Sequence, residues 1–208
     1  MRLVEGLYAA PTPAGTFYAA GNSEPEPGRT MLVNLLCESF QRPISRDSLL
    51  AWSAGDDVEQ ALRVLYRLQR LDFVRGARRP GVVPPKGKLE DLLPPLLSQF
   101  SSQGKVVLAD DKGFYLASSG YHHEAAEELA ALAVDLHKVY ERYRRLLRGN
   151  LKHASEALAL VSPDGRSDLG FWPLHIGPQA FSLIVEGVPN LNQPALVRLV
   201  QLLAIRYR

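Results

Sequence analysis

The residue types that could do chemistry are present in this chain but scattered. Five histidines, His122, His123, His137, His153 and His175, show no metal-ligand spacing with one another or with the single cysteine, Cys37. His122-His123 stands just before a long periodic apolar segment, where a turn and a first helical turn account for it. Asp110 and Asp111 are adjacent carboxylates, a pairing that general acid–base work can use. They are followed by Lys112-Gly113, however, and an acidic pair before glycine is hairpin-turn chemistry. The sequence holds no P-loop, no Gly-x-Ser-x-Gly elbow and no dinucleotide fingerprint. Cys37 lies among Leu32, Val33, Leu35 and Leu36 and reads as a small buried hydrophobe rather than a nucleophile. The expectation is a protein that is not an enzyme, with no cofactor and no metal.

Two further groups point to binding. Arg63, Arg67 and Arg70 recur at i, i+4 and i+7, and Arg78 and Arg79 follow a short apolar run. Such a stripe suits contact with nucleic acid. Glu59 stands one turn before Arg63 at ion-pairing spacing, so an ordinary solvated helix face is the competing reading. In Gly170-Phe171-Trp172-Pro173-Leu174, Phe171 and Trp172 read either as partner-binding anchors or as core.

These residues must be positioned by a chain of 208 residues, 46% hydrophobic and 22% charged, enough for two small soluble domains. Apolar runs are broken by charge well before the roughly 18 residues that a spanning helix needs. Met1-Arg2-Leu3-Val4-Glu5 has no secretory h-region. No membrane insertion and a cytoplasmic location are therefore expected. The net charge of +2 hides a division: Arg29 to Lys88 carries eleven Lys/Arg against six Asp/Glu, whereas Leu89 onward carries twelve against thirteen.

Residues 1–28 are rich in Pro, Gly and Ala and read as an irregular arm with one short strand at Thr16 to Ala20. From 29 to 84 the pattern gives three helices. Thr30 caps the first, with Leu32, Leu35, Leu36 and Phe40 on its apolar face, until Pro43 stops it. Ser45 caps Arg46 to Trp52. Asp56 or Asp57 caps a third, with Val58, Ala61, Leu62, Leu65, Leu68 and Leu71 on one face. Phe73-Val74-Arg75 and Val82-Val83 then form a ribbon across Arg78-Arg79-Pro80-Gly81. Three helices and a ribbon resemble a winged-helix domain, whose third helix and wing would carry the nucleic-acid contacts.

Residues 85–88 read as a linker. Beyond it, Leu93, Leu96, Leu97 and Phe100 mark a helix whose body starts near Pro94, because proline is tolerated at a helix start. Val106 to Leu108 and Phe114 to Leu116 are the arms of the hairpin. Glu124 to Arg148 is the longest helix, with Leu129, Leu132, Ala133, Leu136, Val139, Tyr140, Tyr143 and Leu147 alternating by three and four. Its acids stand first and its arginines last, in agreement with the helix dipole. Strands at Ala154 to Val161, Asp168 to Leu174 and Phe181 to Val185 and a helix from Asn192 to Ile205 complete the order α-β-β-α-β-β-β-α.

That order, with an acidic-Gly hairpin first and an Ala/Leu-rich helix after it, resembles the Roadblock (dynein light-chain) family over residues 89–208. The resemblance implies an α+β fold, a five-stranded antiparallel sheet with the middle helix on one face and the terminal helices on the other. It also implies a homodimer formed by 124–148 and 154–161, with Leu129, Leu132, Ala133, Leu136, Tyr140, Tyr143, Ala157 and Ala159 at the interface. It further implies a regulator or scaffold that binds a small Ras-like GTPase or another signalling component. Small residues on the long helix, which allow two helices to approach closely, give independent support for the dimer. The alternative is a dimeric winged-helix DNA-binding transcriptional regulator.

Overall fold

A computed structural model describes residues 6–38, 41–81 and 87–207. The chain folds as β1 (Tyr8–Pro11), α1 (Pro13–Ala20), α2 (Pro27–Cys37), α3 (Arg46–Ser53), α4 (Val58–Arg70) and β2 (Val74–Ala77). There follow α5 (Leu89–Leu97), β3 (Val106–Asp110), β4 (Tyr115–Ser119), α6 (His123–Arg144), β5 (Leu158–Val161), β6 (Ser167–Ile176), β7 (Gln179–Glu186) and α7 (Pro194–Tyr207). Packing divides it into two compact units, Met1–Lys86 with Leu191–Arg208, and Gly87–Asn190.

In the first unit residues 8–20, expected within an irregular arm, are ordered elements. Tyr8–Pro11 pairs antiparallel with Val74–Ala77. Thr16 to Ala20, expected as a strand, is helical. Thr12 Oγ1 accepts from the Gly15 amide and Pro13 opens the first turn, so capping outweighs the local strand pattern. Gly15 is required there, because a Cβ would stand 2.1 Å from the Phe73 carbonyl oxygen. Tyr18 stacks on Phe73 with ring centroids 4.8 Å apart and donates to Glu26 Oε2 at 2.6 Å. Burial first, then that hydrogen bond, pushes its hydroxyl up to about 12.

The three helices expected between 29 and 71 are present. The first begins at Pro27 rather than beyond Thr30, since proline at its first position presets φ. Phe40, placed on its apolar face, lies outside the described residues. Cys37 ends α2 half-buried. Ser45 and Ser48 form a reciprocal capping box at α3, and Asp57 caps α4 by accepting from the Glu59 and Gln60 amides. Met31, Leu32, Leu35, Leu36, Leu49, Trp52, Leu65 and Leu68 close the core. Val74 to Ala77 pairs with β1; Val82-Val83, expected opposite it, lies outside the described residues, as does the first half of the expected linker, 85 and 86. The last helix, expected with the sheet, packs on α1 and α2. Its buried residues run round most of its surface, from Ala195 through Ala204.

The second unit is a five-stranded antiparallel sheet in the order β4-β3-β7-β6-β5 with helices against it, the α+β arrangement that the resemblance implies. Alternation sorts the strand residues: Val107, Ala109, Ile184 and Phe171 join Ala126, Ala130 and Ala133 of α6 in one cluster. Val106, Leu108, Leu183 and Val185 point the other way and are fully buried; α5 packs on β3 and β4 there. That helix starts at Leu89, ahead of the expected start, and holds Pro94 and Pro95 within it. Pro173 sits in β6 opposite Ser182 of β7, beyond the end of β5, where its missing N–H deprives no neighbour. The acidic hairpin is structural: Asp110 Oδ1 accepts from the Lys112 and Phe114 amides at 3.0 and 2.8 Å, and Gly113 takes φ +91°.

Candidate interaction surface

Helix α6 is the element that most constrains function. Its face toward the sheet is made of Ala126, Ala130, Ala133 and Tyr140, all buried. Small side chains there bring the helix close to β3, β7 and β4. Its large apolar residues lie elsewhere. Ala125, Leu129, Leu132, Leu136, Val139, Tyr143 and Leu146 are separated alternately by four and three, a heptad seam. Of these, Leu132, Val139, Tyr143 and Leu146 are 41%, 47%, 50% and 46% exposed.

The direction of that seam follows from helix geometry. The hairpin turn packs near Ala131 and Val134, since a Cβ on Gly113 would meet both. At 100° per residue these lie on one flank of α6, and the seam lies on the other. The sheet continues through β6 to the edge strand β5. Leu158 stands opposite Phe171 and Leu160 opposite Leu169, so both project from the same sheet face as the α6 cluster. Leu160 is 60% exposed. Among the described residues β5 has no neighbour in the sheet besides β6, so its outer backbone groups form an open edge.

The residues expected at a dimer interface therefore divide. Leu132, Tyr143 and Ala159 are exposed, and Leu129, Leu136 and Ala157 are half-buried. Ala133 and Tyr140 are corrected: they face the sheet inside the subunit. Val139, Leu146, Leu158 and Leu160 belong to the surface and were missing from the expected set, although the four-three stepping from Leu129 contained the first two. Phe171, expected as a partner anchor, is buried under α6 at 5% exposure. Trp172 is half-buried and lies across Gly170, where a Cβ would meet its ring at 2.0 Å.

Between α6 and β5 the chain is fastened by charge. After Arg144 the helix widens into a π turn over Arg145–Asn150. Arg148 Nη1 there reaches Glu156 Oε1 at 3.2 Å, and His175 Nε2 of β6 lies 2.9 Å from Glu156 Oε2. The Glu156 side chain is 1% exposed, so removing either partner leaves a buried charge short of compensation. Burial, then the Glu156 charge, raises the Tyr140 hydroxyl. This inward Glu156, with the Ala157 amide bonded to Ser155 Oγ, explains why 154–157, expected as strand, is not.

At the other end of α6, Tyr121 donates to Glu186 Oε2 at 2.5 Å and Lys105 to Oε1 at 2.9 Å. These bonds, Tyr121 first, hold the Glu186 carboxyl below its ordinary range. His123 Nδ1 lies 2.7 Å from Tyr115 Oη.

Arg63, Arg67, Arg70, Arg78 and Arg79 are all exposed in the first unit. Open clefts lie among the described residues of each unit. One of about 420 Å³ is lined by Glu26, Thr30, Asp56, Asp57 and Val64, and another of about 600 Å³ by Ser102, Ser162, Asp164, Arg166 and Asp168. Among the described residues no His, Cys, Asp and Glu are grouped as metal ligands, and no helix is long and apolar enough to cross a membrane.

Comparison with known proteins is sparse. No family model matches, and no curated protein matches by sequence. The chain is similar to the Roadblock/LC7 domain from Streptomyces avermitilis at 13% identity, over 58% of this chain and 93% of that one, with a TM-score of 0.37. It is similar to MglB of Myxococcus xanthus at 15% identity, over 60% of this chain and 90% of that one, with a TM-score of 0.33.

Proposed function

We propose that this protein is a non-enzymatic regulator or scaffold that works as a Roadblock-type homodimer and binds a small Ras-like GTPase or another signalling component. The observation that carries the dimer is the uncovered heptad seam of α6 beside the open β5 edge. A second copy is the occupant that the charges favour. The first half of α6 holds Glu124, Glu127 and Glu128, and the second holds Lys138, Arg142 and Arg144 beside Asp135 and Glu141. Two α6 helices meeting antiparallel along the seam set each acidic half against a basic one. The GTPase rests on the resemblance of residues 89–208 to the Roadblock order, and the sheet order β4-β3-β7-β6-β5 supports it for the part up to residue 190.

Sedimentation at micromolar concentration tests the first part. The expected mass is that of a dimer, and Leu132→Glu with Val139→Glu should give a folded monomer. A wild-type monomer at these concentrations overturns the dimer. Capture with purified Ras-like GTPases, loaded with GDP or a GTP analogue, tests the second. A nucleotide-dependent complex is expected, and its absence across the set counts against the GTPase.

A further inference from the structure

The seam of α6 uses the second unit, whereas the first unit has a surface of opposite character. Helix α4 turns Ala61, Leu65 and Leu68 inward. Its solvent face is Glu59, Gln60, Arg63, Tyr66, Arg67 and Arg70, all exposed. Arg63 pairs with Glu59 at 3.7 Å between two exposed side chains, and Arg75 is held by Asp72 in a two-pronged pair at 2.7 and 2.6 Å. Arg67, Arg70, Arg78 and Arg79 make no ion pair among the described residues.

Every cation from 29 to 81 is an arginine. Guanidinium forks bond phosphate or a guanine edge in pairs, which an ammonium does not. Carboxylates accept the same fork, but a row of four guanidiniums without ion pairs suits a repeating anion such as a phosphate backbone, and a membrane surface would favour apolar side chains beside the cations. The outer face of α4 offers Tyr66 and glutamines instead, with one exposed leucine, Leu71, at its very end. A helix of this length, about 20 Å, fits a major groove about 12 Å wide.

We propose that the solvent face of α4 binds duplex DNA, with Arg63 and Tyr66 toward the groove and Arg67, Arg70, Arg78 and Arg79 on the phosphates that flank it. The site lies outside the α6 surface and holds whether or not that surface dimerises.

Fluorescence anisotropy of the full chain with a labelled mixed-sequence duplex of roughly 20 base pairs tests this between about 50 and 200 mM salt. Binding is expected, with a log–log salt slope of about −3 to −4 for four phosphate contacts. Arg67→Glu with Arg70→Glu should weaken it at least tenfold and flatten the slope by about 2. Lys112→Glu, on the hairpin turn, should leave both unchanged. Circular dichroism should report the same melting for all three, because the altered residues are exposed. No binding at the lower salt overturns the proposal. So does equal loss in the Lys112 variant, or arginine-dependent retention on phosphatidylserine vesicles without duplex binding.

Discussion

Helices α4 and α6 are both amphipathic, and they are built in reverse. In α4 the large residues Leu65 and Leu68 face inward and arginines meet water, as in any helix whose apolar side is satisfied within the subunit. In α6 the small residues Ala126, Ala130 and Ala133 face inward, and Leu132, Val139, Tyr143 and Leu146 meet water. Hydrophobic periodicity alone describes the two equally well. The size of the inward residues separates them: alanine brings a helix close to its sheet and leaves the leucines for something else to cover. That contrast makes α4 a candidate for polyanions and α6 a candidate for a second copy of itself.

The contrast is sharpest in the core. Leu65→Ala should remove a fully packed side chain from α4 and destabilise the first unit by about 3 kcal/mol, read as a lower urea midpoint with unchanged slope. The reverse change is the harmful one in α6. Ala130→Leu forces a branched side chain into the space between helix and sheet and should cost about 2 kcal/mol. Glu128→Leu, at an exposed position on the outer side of the same helix, should change little. Equal effects at 130 and 128 would show that α6 does not lie close on the sheet.

The way each helix starts differs too. Asp57 caps α4 locally, whereas His122 gives α6 no side-chain cap. Tyr121, just before α6, is instead tied to Glu186 of β7. Because the Glu186 carboxyl is held below its ordinary 4.5, its contribution is complete above that pH and is lost as pH falls through the lowered folded value. Tyr121→Phe should cost about 1 kcal/mol at neutral pH. It should also flatten the fall in stability between neutral pH and acid. A variant with an acid limb as steep as the wild type would assign that limb to other carboxylates.

Much of this architecture is legible from residue spacing, because Asp57, Ser45 and the Asp110–Gly113 turn each carry local chemistry that tertiary contacts do not override. The expectations failed where distant groups decide. Residues 8–20 look irregular by composition, yet β1 has its partner about 65 residues away and Gly15 is there for the approach of the Phe73 carbonyl. The strand expected from Ala154 begins at Leu158, since Glu156 turns inward to Arg148 and His175, a pairing that no local pattern announces. The candidate surface was half legible. The long helix does carry exposed apolar residues, but Tyr140 and Ala133 share its three-four alternation with Leu132 and Tyr143, and only the position of the sheet tells them apart.

The smallest expected effects fall on the two outer faces, and they differ in kind. Arg67→Ala removes an exposed cation from α4 and should move folding stability by less than about 0.5 kcal/mol at any protein concentration. Leu132→Ala should be equally mild in dilute protein, where the side chain already meets water. At higher concentration the two should part. A dimer that forms only from folded chains raises the melting temperature as concentration rises. The wild type and Arg67→Ala should share that rise, and Leu132→Ala should lose much of it. Differential scanning fluorimetry over a hundredfold range of concentration makes the comparison. Parallel behaviour of all three proteins would mean that the leucines of α6 rest in water as the arginines of α4 do, and the inversion between the helices would then carry no function.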